Sequence, residues 1–141
     1  MTKIDLKKSR QNHNLTKRWK ARFWHPVQRR IPNDNDGMLF HTFGFQRTKH
    51  LVGKRAVSTY EKKKCSDFYI MVEDGDSRQP RFIHIAGRSI PDCVELEALR
   101  SSLQSFADVY VMDREFHWTF CITHEDTAGP YFCEPAKVKR S

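Results

Sequence analysis

The stretch DVYVMDREFHWTFCITHEDTAGPYF, residues 108–132, decides the fold of this chain. β-Branched residues alternate with larger ones over 109–112, large apolar residues alternate with smaller or polar ones over 116–123, and Asp113 and Arg114 separate the two runs. A period of two is typical of β-strands, so the stretch predicts a β-hairpin. Large apolar side chains on one face of a strand have to lie on a core, so we expect this hairpin at the centre of the sheet. In the second run, the predicted core face is Phe116, Trp118, Phe120 and Ile122, and the opposite face is His117, Thr119, Cys121 and Thr123.

A second hairpin is predicted from DFYIMVE at 67–73 and RFIHIAG at 81–87, which are rich in aromatic and β-branched residues. The segment between them, DGDSRQP, is rich in residues that favour turns. The second of these strands supplies either Phe82 or Ile83 to the core, because a register shift of one residue exchanges the two faces of a strand. The predicted core face of the first strand is Phe68, Ile70 and Val72.

Helices are predicted where apolar residues recur every three or four positions. Over 14–25 an apolar stripe faces a side rich in Lys and Arg, which predicts a basic amphipathic helix that Pro26 ends. A short helix is predicted over 54–63. A third helix is predicted after residue 91, where Asp92 and Glu95 have capping-box spacing. The two longer stripes are Leu15, Trp19 and Phe23, and Leu96, Leu99, Leu103 and Phe106.

The order of these elements predicts a single α+β domain. We expect an antiparallel sheet of about four strands, formed by the two hairpins and packed against about three helices. At 141 residues the chain is long enough to bury one core. The run MLFHTFGF at 38–45 fits neither strand nor helix spacing, and only its burial is predicted. The predicted boundaries are a flexible basic arm at 1–13, the domain at 14–134 and a C-terminal tail at 135–141.

The net charge of +8 is concentrated at the N-terminus. Residues 1–30 contain ten Lys or Arg and a single acid, whereas residues 31–141 have a net charge of −1. Such asymmetry indicates either a negatively charged partner or a solvated lysine-rich tail.

No stretch is apolar enough for a membrane span or a secretory signal, so we expect a cytoplasmic protein. The four cysteines form no C-x-x-C pair and are expected to be free thiols in that compartment.

The motifs of this chain resemble those of a bacterial protein family of uncharacterised function. The resemblance extends over residues 15–133 and is carried most specifically by F-H-W-T-F at 116–120, T-H-E at 123–125 and G-P-Y-F at 129–132. It implies no activity and no catalytic residue. Members of that family often carry a cysteine at the position of Ala128, so any role of that cysteine is absent from this chain.

The candidate catalytic residues are His124 and Glu125, which follow the last predicted strand and precede a turn. A histidine beside a glutamate can act as a general base. The alternative, which we favour, is that both side chains bind backbone groups of the loop and hold the turn. His117, Cys121 and His124 are not expected to form a metal site, because residues 117 and 121 of a strand lie about 13 Å apart and residue 124 faces the other way. No metal and no cofactor are therefore predicted.

The function that the sequence favours is a non-catalytic module that binds a protein partner, as an antagonist, immunity or accessory factor does. The basic N-terminal region indicates an acidic partner. One alternative is nucleic-acid binding by the basic arm and helix, since phosphates bind Lys and Arg and bases stack on aromatic rings. A second alternative is an enzyme that uses His124 and Glu125. The candidate binding residues are Lys17, Arg18, Lys20, Arg22, Trp24, Arg29 and Arg30.

Overall fold

The computed structural model describes residues 3–24, 43, 48–74, 79–103, 106–125 and 129–135. Within these residues the chain forms three α-helices and one antiparallel sheet of seven strands. The predicted α+β class is confirmed, but the sheet is larger than the four strands expected from the sequence. The helices are α1 (His13–Phe23), α2 (Lys54–Glu61) and α3 (Cys93–Ser101). The strands are β1 (Arg10–Gln11), β2 (Leu51–Val52), β3 (Asp67–Glu73), β4 (Arg81–Ala86), β5 (Asp108–Asp113), β6 (Thr119–Ile122) and β7 (Tyr131–Cys133).

The two predicted hairpins form the middle of the sheet, whose strand order is β1-β4-β3-β5-β6-β7-β2. Strand β3 pairs with β4 and β5 pairs with β6, as the sequence predicts, and β3 also pairs with β5. The additional strands β1, β2 and β7 have only two or three residues each. Such short segments contain too few residues for a period of two to be recognised, which explains why the sequence predicted fewer strands.

Helices cover both faces of the sheet. The face that contains Val109 and Val111 packs against α2 and α3, and the face that contains Tyr110 and Met112 packs against α1. All four of these β5 side chains are 0% exposed. The sequence placed Thr119 on the face opposite the predicted core face, and α1 covers this opposite face, so Thr119 is buried as well. The alternation of apolar and polar residues in β6 therefore does not mark a solvent-exposed side.

The register between β3 and β4 decides which β4 residue lies on which face. Ile70 is paired with Ile83, and Met71 is paired with Phe82. Paired residues point to the same side of a sheet. Ile83 therefore joins the core under α2 and α3, while Phe82 lies in the cluster that α1 covers. Of the two alternatives that the sequence left open, the structure selects Ile83 as the partner of the β3 core face.

Phe116 lies on the opposite face from the one predicted. Its φ angle is +58°, so the strand alternation is broken at this residue, in the turn between β5 and β6. Its ring packs on the α1 side of the sheet, whereas Trp118 and Phe120 pack on the α2 side. The turn is held by Asp113, whose Oδ1 accepts hydrogen bonds from the backbone N–H groups of His117 (2.6 Å) and Trp118 (3.2 Å). A turn of this kind cannot be predicted from the pattern of apolar residues, because that pattern does not reveal a positive φ angle.

Helix α1 is anchored to the sheet by apolar and polar contacts. Its N-cap is Asn12, whose side-chain oxygen accepts a hydrogen bond from a backbone N–H of the first turn (3.0 Å). Trp19 and Phe23 are 0% exposed, so the predicted apolar stripe of this helix does lie on the core. The indole N–H of Trp19 donates to Oγ1 of Thr119 (3.1 Å), and this hydroxyl donates to the carbonyl oxygen of Val111 (3.1 Å).

The N-terminal segment packs on the domain, where the sequence predicted a flexible arm at 1–13. Ile4 and Leu6 are 3% and 2% exposed and belong to the core on the α2 side. Strand β1 follows at once and joins the edge of the sheet by pairing Arg10 with Phe82. Two isolated apolar residues form no periodic pattern, so their burial could not be predicted from the sequence.

Helices α2 and α3 lie close to their predicted positions. Helix α2 ends at Glu61, two residues before the predicted end. Helix α3 begins after Asp92, whose side chain accepts a hydrogen bond from the backbone N–H of Glu95 (2.8 Å), as the capping-box spacing predicts. Phe106 was predicted to belong to the apolar stripe of this helix, but α3 ends at Ser101, so Phe106 lies outside the helix and is 67% exposed. Among the helices of the described ranges, none is long and apolar enough to cross a membrane.

Some predicted features lie outside the described residues. Of the apolar run at 38–45, Phe43 is described, and it is 1% exposed. The candidate binding residues Arg29 and Arg30 and the tail after Pro135 lie in segments that the structure does not describe.

Candidate functional site

The basic side of α1 lies over the turn between β5 and β6. The guanidinium of Arg18 stacks on the ring of Phe116, with its central carbon 4.3 Å from the ring centroid. It also donates a hydrogen bond to the carbonyl oxygen of Arg114 (3.4 Å). Nε of Arg22 donates to the carbonyl oxygen of Phe116 (3.1 Å), and a terminal nitrogen of Arg22 donates to that of Pro135 (3.4 Å). Both arginines therefore hold separate parts of the chain together. In these contacts the guanidinium groups meet carbonyl oxygens and a ring, and no carboxylate neutralises their charge.

The remaining candidate binding residues of α1 differ in their exposure. Lys17 is exposed to solvent. Nζ of Lys20 lies 5.1 Å from the ring centroid of Trp24, which is half-buried, so Trp24 does not offer an open ring. Helix α1 contains no acidic residue. None of the ion pairs formed among the described residues includes Lys17, Arg18, Lys20 or Arg22.

His124 lies at the other end of the same hairpin and is held by a buried carboxylate. Its backbone N–H and its ring Nδ1–H both donate to Oδ1 of Asp108, each at 2.8 Å. The side chain of His124 is only 11% exposed, and its Nε2 is 3.8 Å from a carboxylate oxygen of Glu125. The ring of Phe106 packs edge-on against it, with the centroids 5.7 Å apart. The sequence identified His124 and Glu125 as a pair, but the closer partner of His124 is Asp108.

Asp108 belongs to a pair of buried carboxyl groups. It is 0% exposed, and its Oδ2 accepts no hydrogen bond from the part of the chain that the structure describes. Burial raises the pKa of Asp108, while the hydrogen bonds from His124 act in the opposite direction. Glu73 is paired with Asp108 across β3 and β5, so the two side chains point to the same face of the sheet. Oε1 of Glu73 accepts a hydrogen bond from the hydroxyl of Tyr110 (2.8 Å).

A histidine that a buried carboxylate orients is an arrangement found in general bases. Catalysis by such a base also requires a nucleophile or a water that it can activate. On the same face of the sheet, burial raises the pKa of the Tyr110 hydroxyl and of the Cys121 thiol, so both groups keep their protons at neutral pH. Burial likewise raises the pKa of Cys65, that of Cys93 to about 11 and that of Cys133 to about 12. The four thiols are therefore poor nucleophiles.

The three residues that have a spacing similar to that of metal ligands lie apart in the structure. His117 is exposed, and its Nδ1 is 2.6 Å from Oδ2 of Asp113. Cys121 is buried between the sheet and α1, and His124 is bound to Asp108. Within the described ranges, no three or more His, Cys, Asp or Glu side chains are grouped so that they could hold a metal ion.

The structure separates the two candidate sites that the sequence suggested. The basic side of α1 contacts the turn that follows β5, whereas His124 is bound to the first residue of β5. A strand of six residues is roughly 15–20 Å long, so the two sites do not act on one small ligand. Sequence reasoning missed Asp108 and Glu73. The available signal was a carboxylate at the end of a strand that is otherwise apolar, since burying a charged group there requires a partner.

The comparisons with known proteins give one result. The family model described as a domain of unknown function (DUF4275) matches residues 7–132, which include α1, both hairpins and His124. No curated protein and no solved structure matches the chain.

Proposed function

Because this chain belongs to the DUF4275 family, a domain of unknown function, we propose a function from its own surface: it is a non-catalytic module that binds an acidic segment of a partner protein. An antagonist, immunity or accessory factor acts in this way, by occupying a surface of its partner. We call the contact surface the basic face. It consists of Lys17, Arg18, Lys20 and Arg22 on α1.

The observation that carries the proposal is that α1 holds four cations within six residues and contains no acidic residue. Arg81, Arg88, Arg100 and Arg114 each form an ion pair with an aspartate or a glutamate. The cations of the basic face instead contact carbonyl oxygens and rings or are exposed, and no described ion pair includes them. Clustered like charges repel one another, and a carboxylate-rich partner removes that repulsion. An acidic surface is therefore the complement of this face.

A protein partner is favoured over single-stranded nucleic acid by the rings near the basic face. Single strands bind through aromatic rings on which their bases stack. Here Arg18 covers the ring of Phe116, and Lys20 lies over that of Trp24. Phe106 is an exposed ring, but it contacts His124 at the other end of the hairpin. Duplex DNA needs phosphate contacts only, so the experiment below includes it as the alternative.

The surroundings of His124 support a structural role for this residue. Asp108 accepts hydrogen bonds from both the backbone and the ring of His124, and these bonds tie the loop after β6 to the start of β5. The hydroxyl of Tyr110 and the thiol of Cys121, on the same side of the sheet, are protonated and 0% exposed. General-base catalysis depends on a substrate proton within hydrogen-bond reach, and a nearly buried ring is poorly placed for one. The surroundings of His124 therefore favour a protein that binds a partner through its basic face over an enzyme that uses His124.

The proposal is tested by fluorescence anisotropy with a fluorescein-labelled peptide of alternating glutamate and serine. We expect the parent protein to bind it, and more weakly as salt is added. The double variant Lys17→Glu/Lys20→Glu should bind about tenfold more weakly, a difference of ~1.4 kcal/mol. The matched control is Lys62→Glu/Lys64→Glu, which makes the same charge change at two exposed lysines outside the basic face and should retain the affinity of the parent.

Two results would overturn the proposal. One is binding of labelled duplex or single-stranded DNA with no binding of the peptide, which would favour the nucleic-acid alternative. The other is an equal loss of peptide affinity in Lys62→Glu/Lys64→Glu and in Lys17→Glu/Lys20→Glu, because the attraction would then come from net charge and not from α1.

A further inference from the structure

A groove with a volume of about 560 Å³ lies beside the C-terminal end of α1. Its walls are residues 48–51, which lead into the edge strand β2, and residues 132–135, which belong to the end of β7 and the chain after it. Arg22 and Thr59 complete it. Clefts of about 300–1,000 Å³ are typical of sites that enclose a small group. Because Arg22 belongs both to this groove and to the basic face, the two surfaces are continuous.

The charge of the groove is positive. Among the described residues that line the groove, Glu134 is the acidic one. Both carboxylate oxygens of Glu134 accept hydrogen bonds from Nζ of Lys63, at 2.9 Å and 2.8 Å. This ion pair leaves the charges of Arg22 and Lys49 without a carboxylate inside the groove. Lys49 is exposed and therefore lies at the rim. An anion that enters the groove meets two cations that no described acid neutralises.

The inner part of the groove is apolar. Phe132 is 2% exposed, and Leu51 is half-buried against the same core. The thiol of Cys133 is 1% exposed, and its pKa is raised to about 12 by burial, so it is uncharged at neutral pH. An uncharged thiol behaves as a small apolar group. The groove thus combines a cationic rim with an apolar interior.

The walls of the groove are held in place by the fold and not by a ligand. Oγ1 of Thr48 donates to the carbonyl oxygen of Phe23 (2.8 Å), which ties this wall to the end of α1. The Nδ1–H of His50 donates to the carbonyl oxygen of Thr48 (2.7 Å). The imidazole of His50 also packs against the rings of Phe43 and Tyr131, with centroid distances of 5.6 Å and 5.3 Å. A site that is formed in advance binds with a smaller entropy loss than one that a ligand has to order.

We propose that this groove receives an apolar side chain of the partner protein that is flanked by a glutamate or an aspartate. The apolar side chain lies against Leu51 and Phe132, and the neighbouring carboxylate lies between Arg22 and Lys49. This inference rests on the proposed function, because it names which part of the acidic segment is recognised and where. The groove then supplies specificity, while the basic face of α1 supplies long-range attraction.

The test compares two labelled peptides, one of alternating glutamate and leucine and the other of alternating glutamate and serine, which carry equal charge. The parent protein should bind the leucine peptide about tenfold or more tightly than the serine peptide, because burial of one leucine side chain is sufficient for such a ratio. Thr59→Trp places a large ring in the groove and should remove this preference while the affinity for the serine peptide is unchanged. Lys49→Glu, at an exposed position, should weaken the binding of the leucine peptide without affecting the fold.

The outcomes distinguish this inference from the proposal on which it rests. If Lys17→Glu/Lys20→Glu loses both peptides while Thr59→Trp retains the leucine preference and Lys49→Glu retains the affinity of the parent for the leucine peptide, the basic face binds acidic segments and the groove inference is overturned. If the parent protein binds neither peptide, both the function and the inference fail. Melting curves of Thr59→Trp and Lys49→Glu establish that each variant is folded before its affinity is compared with that of the parent.

Discussion

Thr119→Val is the sharpest test of how α1 is held on the sheet. Oγ1 of Thr119 accepts a hydrogen bond from the indole N–H of Trp19 and donates one to the carbonyl oxygen of Val111, both at 3.1 Å. Valine has nearly the same shape but no hydroxyl, so the indole N–H of a side chain that is 0% exposed loses its partner. Leaving one buried donor unsatisfied costs about 1–3 kcal/mol. We expect Thr119→Val to lower the free energy of unfolding by this amount.

Urea melts measure the effect. With a slope of about 2 kcal/mol per molar urea, the midpoint should fall by roughly 0.5–1.5 M while the slope itself is unchanged. A double-mutant cycle isolates the hydrogen bond: in the Trp19→Phe background no indole N–H remains, so Thr119→Val should cost less by about 0.5–3 kcal/mol. Thr16→Val is the matched control, since its hydroxyl donates to a solvent-exposed carbonyl oxygen of Asn12 that water can satisfy. A Thr119→Val penalty that is the same in both backgrounds would refute the reasoning.

Two further predictions concern the N-terminal segment and the buried carboxyl pair. Leu6→Ala should lower the free energy of unfolding by about 2–5 kcal/mol, because Leu6 is 2% exposed. The exposed control Lys8→Ala should stay within about 0.5 kcal/mol of the parent. A Leu6→Ala urea midpoint equal to that of the parent would mean that the N-terminal segment is not docked on the domain. Burial raises the pKa of Asp108, so its contribution to stability is complete below the pKa of the unfolded chain and is lost as the pH rises through the folded-state pKa. Urea midpoints measured between about pH 4 and about pH 8 should therefore decline less in Asp108→Asn than in the parent, and parallel profiles would contradict this assignment.

The candidate sites could be located in the sequence only in part. The basic face could be predicted because α1 has four cations outside its apolar stripe, and both properties are local to the helix. His124 and Glu125 were visible because they follow a strand and precede a turn. The partner of His124 could not be predicted from the sequence, because the pairing of β5 with β6 brings Asp108 next to it. The groove was not visible either, because its two walls are separated in the chain by most of the domain.

The sequence by itself determined the elements that are long enough to show a period: the strands of both hairpins, and three helices with the α3 cap at Asp92. These depend on residues a few positions apart, whose interactions are the same wherever the element packs. The tertiary structure decided the three short strands, the burial of both faces of the sheet and the reversed side of Phe116. It also decided that Trp19 meets a hydroxyl 100 residues further along the chain. Such contacts depend on the register of the strands and on which helix covers which face of the sheet. These two features are set by the energy of the whole domain and not by that of any one segment.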